Sequence, residues 1–423
     1  MLFGHFNVKK LLVFFCFCFN PLFSLSNDTI LTGSNTRILG IDEIVQIVLE
    51  NNPSLKVSEK SINFAKAAII SASALPNPFI SIETGENIST GSSSLPGNLT
   101  SIGISQLIEN PILRNARIKV ATQAETTSIE FLSFTKNELV GKVKLKTFEY
   151  LLRKEQATAS KDSLELLEQI RKRVKVRVDT GESGKYELIK ADAEIVNARQ
   201  LAETARLQIA QAVISLNRLA AGKMPNSWIL KGQLNDKVKI MSLIDIKKIA
   251  IKNNPELRLL QSELKRNFNQ IEEAEASKWK GVELKFSQFR QPELEQNLIG
   301  FSIEIPIFDK KIGPRDQAIA DKEKTLAKLD GRKRELIQQI ELSWKSLEIS
   351  RMRIKALSEG AMRQAEAALR VAEAAYKFGE KGILEVLDAE RVLRSVRANL
   401  IQARFQLQIS QVELETLSGK YAY

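Results

Sequence analysis

Gly379-Glu380-Lys381-Gly382-Ile383-Leu384-Glu385-Val386-Leu387-Asp388-Ala389-Glu390 opens the last helix of the chain, and the positions that follow decide the fold. Every seventh residue from Val386 is apolar: Val386, Leu393, Leu400, Leu407, Leu414. The residues three further on are small or apolar: Ala389, Val396, Ala403, Ser410, Leu417. This seam predicts a helix from Ile383 to Leu417 with one stripe buried against a neighbour. The same ten places 198 residues earlier hold Leu188, Ile195, Ala202, Ile209, Leu216 and Ala191, Ala198, Ala205, Ala212, Leu219. Gly379 and Gly382 answer Gly181 and Gly184, and Glu385 answers Glu187. Two seams in register with their turn glycines imply an internal duplication.

Each half follows one order. A short helix ends at Asn51-Asn52-Pro53 in the first half and at Asn253-Asn254-Pro255 in the second. In each, the second Asn can cap the next helix, with Pro at its first position. Those helices run to about Leu75 and Lys280, and then the period changes from 3.6 to 2. Strands are expected at about 79–88, 99–108, 282–290 and 297–306. A polar loop from Asn87 to Asn98 joins the first pair, and the segment Gln291 to Gln296 joins the second. A proline-free stretch from Pro111 to Val178 would extend about 100 Å as one helix. Its counterpart runs about 65 residues from Pro314 to Phe378, with a small-residue seam at Ala361, Ala365, Ala368, Ala372 and Ala375. Tip turns are expected at about 179–185 and 378–383. The repeats then span 27–221 and 241–423, with 222–240 as a connector.

Lys9 and Lys10, the apolar run Leu11–Phe19 and the small-x-small Ser24-Leu25-Ser26 read as a signal peptide over 1–26. The run is shorter than the ~20 residues that a membrane helix needs. Cys16 and Cys18 lie inside it and do not follow a lipoprotein cleavage pattern. Cleavage also removes His5, so the mature chain would hold no Cys and no His. That leaves no Cys/His metal site, disulfide or Ser-His pair, and no cofactor site is expected. Loss of the two lysines takes the net charge from +12 to +10. In an exported chain this reflects solvated helix faces, and no nucleic-acid-binding signature accompanies it.

Each strand is about as long as a tilted membrane strand and alternates apolar with polar residues. Four strands cannot close a barrel; three copies would supply twelve. Phe286 with Phe301, and Phe79 with Phe289, are expected toward lipid or its boundary. The fold class is therefore mainly α, with duplicated long hairpins and a small β-barrel contribution.

The chain resembles the TolC family of outer-membrane efflux proteins over its whole mature length. The resemblance rests on the two Asn-Asn-Pro breakers, on Ile303-Glu304-Ile305-Pro306-Ile307-Phe308, and most of all on Tyr376 to Glu390. It implies a homotrimer in the outer membrane with a twelve-strand barrel and a periplasmic helical tunnel. It further implies a periplasmic adaptor and an inner-membrane pump as partners, with the tunnel a passive exit duct. By motif position, Glu385 and Asp388 match the acidic residues that ring the family's closed end, and Lys381 matches a basic residue that helps latch it. Six carboxylates round a narrow opening would favour cations. In the first repeat Glu187 keeps the position of Glu385, but Ala191 and Asp192 replace the Asp-Ala pattern, so an acidic ring there would be displaced. Gly181, Gly184, Gly379 and Gly382 are the expected adaptor-docking tip, with the basic run Arg171–Arg177 nearby.

The strand loops, with Ser105-Gln106-Leu107-Ile108-Glu109, resemble the heavy-metal and cation efflux branch. A duct for type I protein secretion is the alternative within transport. A periplasmic adaptor or a structural coiled coil is the alternative of another class, but an adaptor would show one hairpin flanked by a β-rich domain. No phosphate loop, metal cluster or nucleophile–base set suggests an enzyme.

Overall fold

The computed structural model describes residues 37–88, 96–239 and 241–422. The signal stretch 1–26 and most of the first strand loop lie outside them. The first half runs β1 (Arg37–Leu39), α1 (Ile41–Asn51), α2 (Pro53–Ser73), β2 (Phe79–Asn87), β3 (Gly97–Glu109), α3 (Pro111–Asp179), α4 (Lys185–Leu219) and β4 (Trp228–Leu230). The second half runs α5 (Leu243–Asn253), α6 (Pro255–Ala276), β5 (Gly281–Gln291), β6 (Leu294–Ile303), α7 (Ile312–Ala356), α8 (Met362–Lys377) and α9 (Ile383–Leu417). Helix–helix–strand–strand–helix–helix thus occurs twice.

The Asn-Asn-Pro breakers explain how short helices complete long columns. Asn52 accepts a hydrogen bond from Ser54 N–H and caps α2, while its amide donates to Leu219 O at the end of α4 (2.8 Å). Asn254 accepts from Glu256 and Leu257 N–H, and donates to Leu417 O at the end of α9 (2.9 Å). One side chain therefore starts one helix and closes another. α4 with α2, and α9 with α6, become two-piece columns alongside α3 and alongside α7–α8. Asn254→Ala loses a cap worth about 1–2 kcal/mol and strands a carbonyl at a further cost of about 1–3 kcal/mol. Asn254→Asp keeps the acceptor and should lose only the second part. Denaturant titration of the detergent-solubilised protein measures both; equal losses would dismiss the clamp.

The α9 seam packs as its period predicts. Val386, Leu393, Leu400, Leu407 and Leu414 are all buried, against α3 and α7–α8. The small-residue seam behaves differently. A π turn at Leu357–Ala361 separates α7 from α8. Past it, Ala365, Leu369 and Tyr376 are the buried positions, and Ala368 faces out. The extra residue in the turn rotates α8 relative to α7, and the stripe that α8 buries runs through Leu369 rather than Ala368.

Three cores stack along the molecule. One at the tip holds Leu167, Val174, Ile195, Ile383 and Leu387. Two lie further up, around Leu151, Leu216 and Leu230, and around Ile340, Leu347 and Leu407. The connector is more than a link. Within it β4 pairs in parallel with β1, and Arg404 grips Asp236. Leu234 N–H donates to Glu155 (2.9 Å). Three-residue strands are too short to show a period, which is why both segments read as irregular.

At the far end from the tip, four antiparallel strands run in the order β2-β3-β5-β6. The register puts Ile80, Ile82, Ile102, Ile104, Leu284, Phe286, Ile299 and Phe301 on one face. All eight are exposed, Ile299 at 88% and Phe301 at 73%. Ser81, Glu83, Ser101, Ser105, Glu283, Lys285, Ser287 and Ser302 form the other face. Phe286 and Phe301 thus sit on the apolar face as expected, but Phe79 and Phe289 do not. Their positions fall in step with Ser81 and Ser287, because the side-chain period of a strand is two. The second loop also shrinks to a turn at Pro292-Glu293, since Gln291 pairs with Leu294 and Arg290 with Glu295 (3.0 Å). Polar cross-strand pairs extended the ladder through residues that read as loop.

Candidate functional site

The end opposite the sheet carries the two tip turns. α3 closes through Gly181 (φ +82°) and α8 through Gly379 (φ +76°). Glu182 N–H returns to Arg177 O, and Glu380 N–H to Ala375 O. Left-handed backbone at these two positions is where glycine is required. Gly184 and Gly382 have ordinary φ and precede α4 and α9 as their N-caps. Their role differs: they leave the helix starts open. Glu187 and Glu385 stand in those first turns, where the helix dipole favours an acid.

Glu385 and Asp388 are both exposed on α9. Lys381 Nζ approaches Glu385 Oε1 at 4.0 Å along the same helix start. Glu187 Oε1 and Glu385 Oε2 lie 3.6 and 3.7 Å from where a Cβ on Gly382 would stand. The acids of the two halves therefore meet at Gly382. Asp192 does not join them; its carboxylate binds Arg171 of its own hairpin and raises that guanidinium's pKa.

The contact that joins the two turns was not read from sequence. Arg177 Nη1 donates to Tyr376 O (2.6 Å), and its guanidinium lies 4.7 Å from the centre of the Tyr376 ring. Arg177 Nε is 3.4 Å from Glu182 Oε2. The Tyr376 hydroxyl donates to Glu187 Oε2 at 3.4 Å, and the ring is 5% exposed. Burial, and then Glu187, push the phenol pKa up. One cation from α3 thus holds the end of α8, which in turn touches the start of α4. Lys381 makes no such crossing. The signal in sequence was Arg177 itself, the last member of a basic run.

Behind the tip lies a second charged group. Glu390 is 2% exposed and accepts the Ser163 hydroxyl. Arg394 stands 3.5 Å from Glu390 and 3.8 Å from Glu194. Arg391 donates to Glu194. Ile383, Leu387, Glu390 and Arg394 lie along one helix stripe, so an acid on an apolar stripe was the available clue.

Among the described residues no group of carboxylates, histidines or cysteines could hold a metal ion. No helix there is long and apolar enough to cross a membrane, and the sheet exposes an apolar face. The family model described as outer membrane efflux protein matches residues 44–222 and 247–420. The chain belongs to the outer membrane efflux protein family. The cobalt-zinc-cadmium resistance protein CzcC of Cupriavidus metallidurans is 22% identical over 387 residues, covering 90% of each chain. Among solved structures, CusC aligns with a TM-score of 0.78 at 19% identity, over 90% of this chain and 93% of its own. The open-state MtrE channel of Neisseria gonorrhoeae aligns at 0.75 and 18%, over 90% and 88%. Family membership makes this chain an outer-membrane exit duct for efflux whose long helices extend into the periplasm. It is a channel family, not an enzyme family.

Proposed function

We propose that three copies join head to tail into one duct, which receives its cargo from a periplasmic adaptor and an inner-membrane pump. The observation that carries this is a matched pair of open margins. β2 continues from α2, on the side of the α4–α2 column, and β6 leads into α7, so sheet and helix layer share the same two sides. β2 and β6 are the two edges of the sheet. α4 carries a second, outward stripe of Tyr186, Ile189, Val196, Leu207 and Ile214, and Val57 and Phe64 of α2 are exposed above it. The opposite margin exposes Leu342, Ile349, Met352, Val371 and Phe378. Different surfaces on the two sides make a head-to-tail contact that must close into a ring.

Three is the smallest number that leaves a passage. Two copies would give eight strands, and side chains fill the interior of an eight-stranded barrel. With twelve, the apolar face meets lipid and the serine-rich face lines a wet lumen. The six carboxylates of Glu385 and Asp388 then ring the periplasmic opening, tempered by Lys381. Gly181, Gly184, Gly379 and Gly382 present the tip to the adaptor. Cations are the cargo class this ring favours, in keeping with a relative that confers cobalt, zinc and cadmium resistance. The energy is the pump's.

Native mass of the particle extracted from outer membranes in mild detergent tests the ring. Three chains per particle are expected, and Val196→Glu with Leu207→Glu should release single chains. A wild-type monomer would refute the assembly.

A further inference from the structure

We propose that Glu194 is a second lock of the tip, set behind the Arg177–Tyr376 contact, and that it governs how much of the constriction's negative charge an ion meets. The proposal rests on the reading of Glu385 and Asp388 as the constriction of the duct.

Glu194 stands seven residues after Glu187, or about 10 Å further along α4. Its side chain is 12% exposed. Among the described residues, the hydrogen bonds and ion pairs that join α4 to α9 run through it, to Arg391 and to Arg394. Arg394 passes the contact to Glu390, and Glu390 to Ser163 on α3. Two carboxylates and two guanidiniums thus tie α4, α9 and α3 together with no net charge. Arg391 reaches Glu194 from the exposed side, whereas Glu194, Glu390 and Arg394 are largely buried, and removing one of those three leaves its partner uncompensated.

Arg391 is also three residues after Asp388, which puts both on one helix face. Asp388 and Glu390 act on the Arg391 guanidinium, but Glu194 acts most strongly. Glu194 and Asp388 therefore compete for one cation. While Glu194 holds Arg391, Asp388 keeps its full charge for passing ions. Once Glu194 lets go, α4 is free to part from α9, and Arg391 can turn to Asp388 and neutralise it. Loosening of the tip and loss of cation preference become one event. A residue that merely packed two helices would change stability and leave selectivity alone.

The test uses the purified full-length protein in planar bilayers, with conductance and reversal potential read in a salt gradient. Glu194→Gln, which keeps the shape of the side chain, should raise the closed-state conductance about threefold to tenfold and lower the cation-to-anion permeability ratio. Arg391→Gln breaks the same lock but leaves no cation to turn to Asp388, so it should raise conductance while the ratio holds. A ratio that falls in Glu194→Gln and holds in Arg391→Gln is the signature. Wild-type conductance and ratio in Glu194→Gln, beside an opened Arg177→Glu, would overturn the lock alone. If Glu385→Ala with Asp388→Ala leaves the permeability ratio at the wild-type value, the constriction reading falls and takes the lock with it.

Discussion

Arg177→Glu should hold the tip open and raise the single-particle conductance at least tenfold. The side chain makes three contacts that the glutamate reverses or removes. A charged hydrogen bond such as that to Tyr376 O is worth about 1.5–3 kcal/mol. The guanidinium over the Tyr376 ring adds about 0.5–2 kcal/mol. The new anion would sit beside Glu182 and Glu187, whose carboxylates already occupy this corner. A loss of about 2 kcal/mol or more per chain shifts the closed-to-open ratio roughly thirtyfold, since about 1.4 kcal/mol is a factor of ten. Tyr376→Phe is the informative companion. It keeps the ring and the backbone carbonyl and loses only the hydroxyl, with its contacts to Glu187 at 3.4 Å and to Ser183. Its effect should be clearly smaller. If it opens the tip as far as Arg177→Glu does, the hydroxyl is the latch and the guanidinium is not.

The latch shows where sequence reading stops. The duplication was legible because its evidence is linear: seams at fixed spacing and a repeated Asn-Asn-Pro. The structure adds why the repeat is kept, for Asn52 and Asn254 each serve two helices at once. The strand faces were legible for the same reason, except near Phe79 and Phe289, where large apolar side chains drew attention away from parity. What could not be read is contact between segments remote in the chain. Arg177 and Tyr376 are 199 residues apart, and Ser163 and Glu390 are 227 apart. Both pairs join side chains whose own segments look ordinary. The π turn was hidden differently. A single added residue leaves composition and length almost untouched while it rotates α8 relative to α7; Ala368 faces out because the buried stripe of α8 runs through Ala365, Leu369 and Tyr376.

Glu385→Ala with Asp388→Ala should abolish most of the cation preference and leave the latch in place. In the ring, each carboxylate at ~6 Å from a passing ion contributes ~0.7 kcal/mol in a water-like medium. Six such charges sum to about 4 kcal/mol before salt screens them, and the Debye length of roughly 8 Å in physiological salt leaves a fraction of that. A fall of about tenfold in the cation-to-anion permeability ratio is the expected size, read as reversal potential across a potassium chloride gradient. Lys381 gives the opposite sign. Its ammonium is 4.0 Å from Glu385, so Lys381→Ala frees a carboxylate and should sharpen the preference. Both effects should shrink together in high salt, because all these groups are exposed to water. The conductance of the double variant is a separate matter. Neither Glu385 nor Asp388 bonds to Arg177 or Tyr376, so selectivity should move while the closed fraction stays near that of wild type. A double variant with unchanged reversal potential would take Glu385 and Asp388 out of the constriction. The polar face of the sheet, with Glu83 and Glu283, would then be the next place to look for the filter.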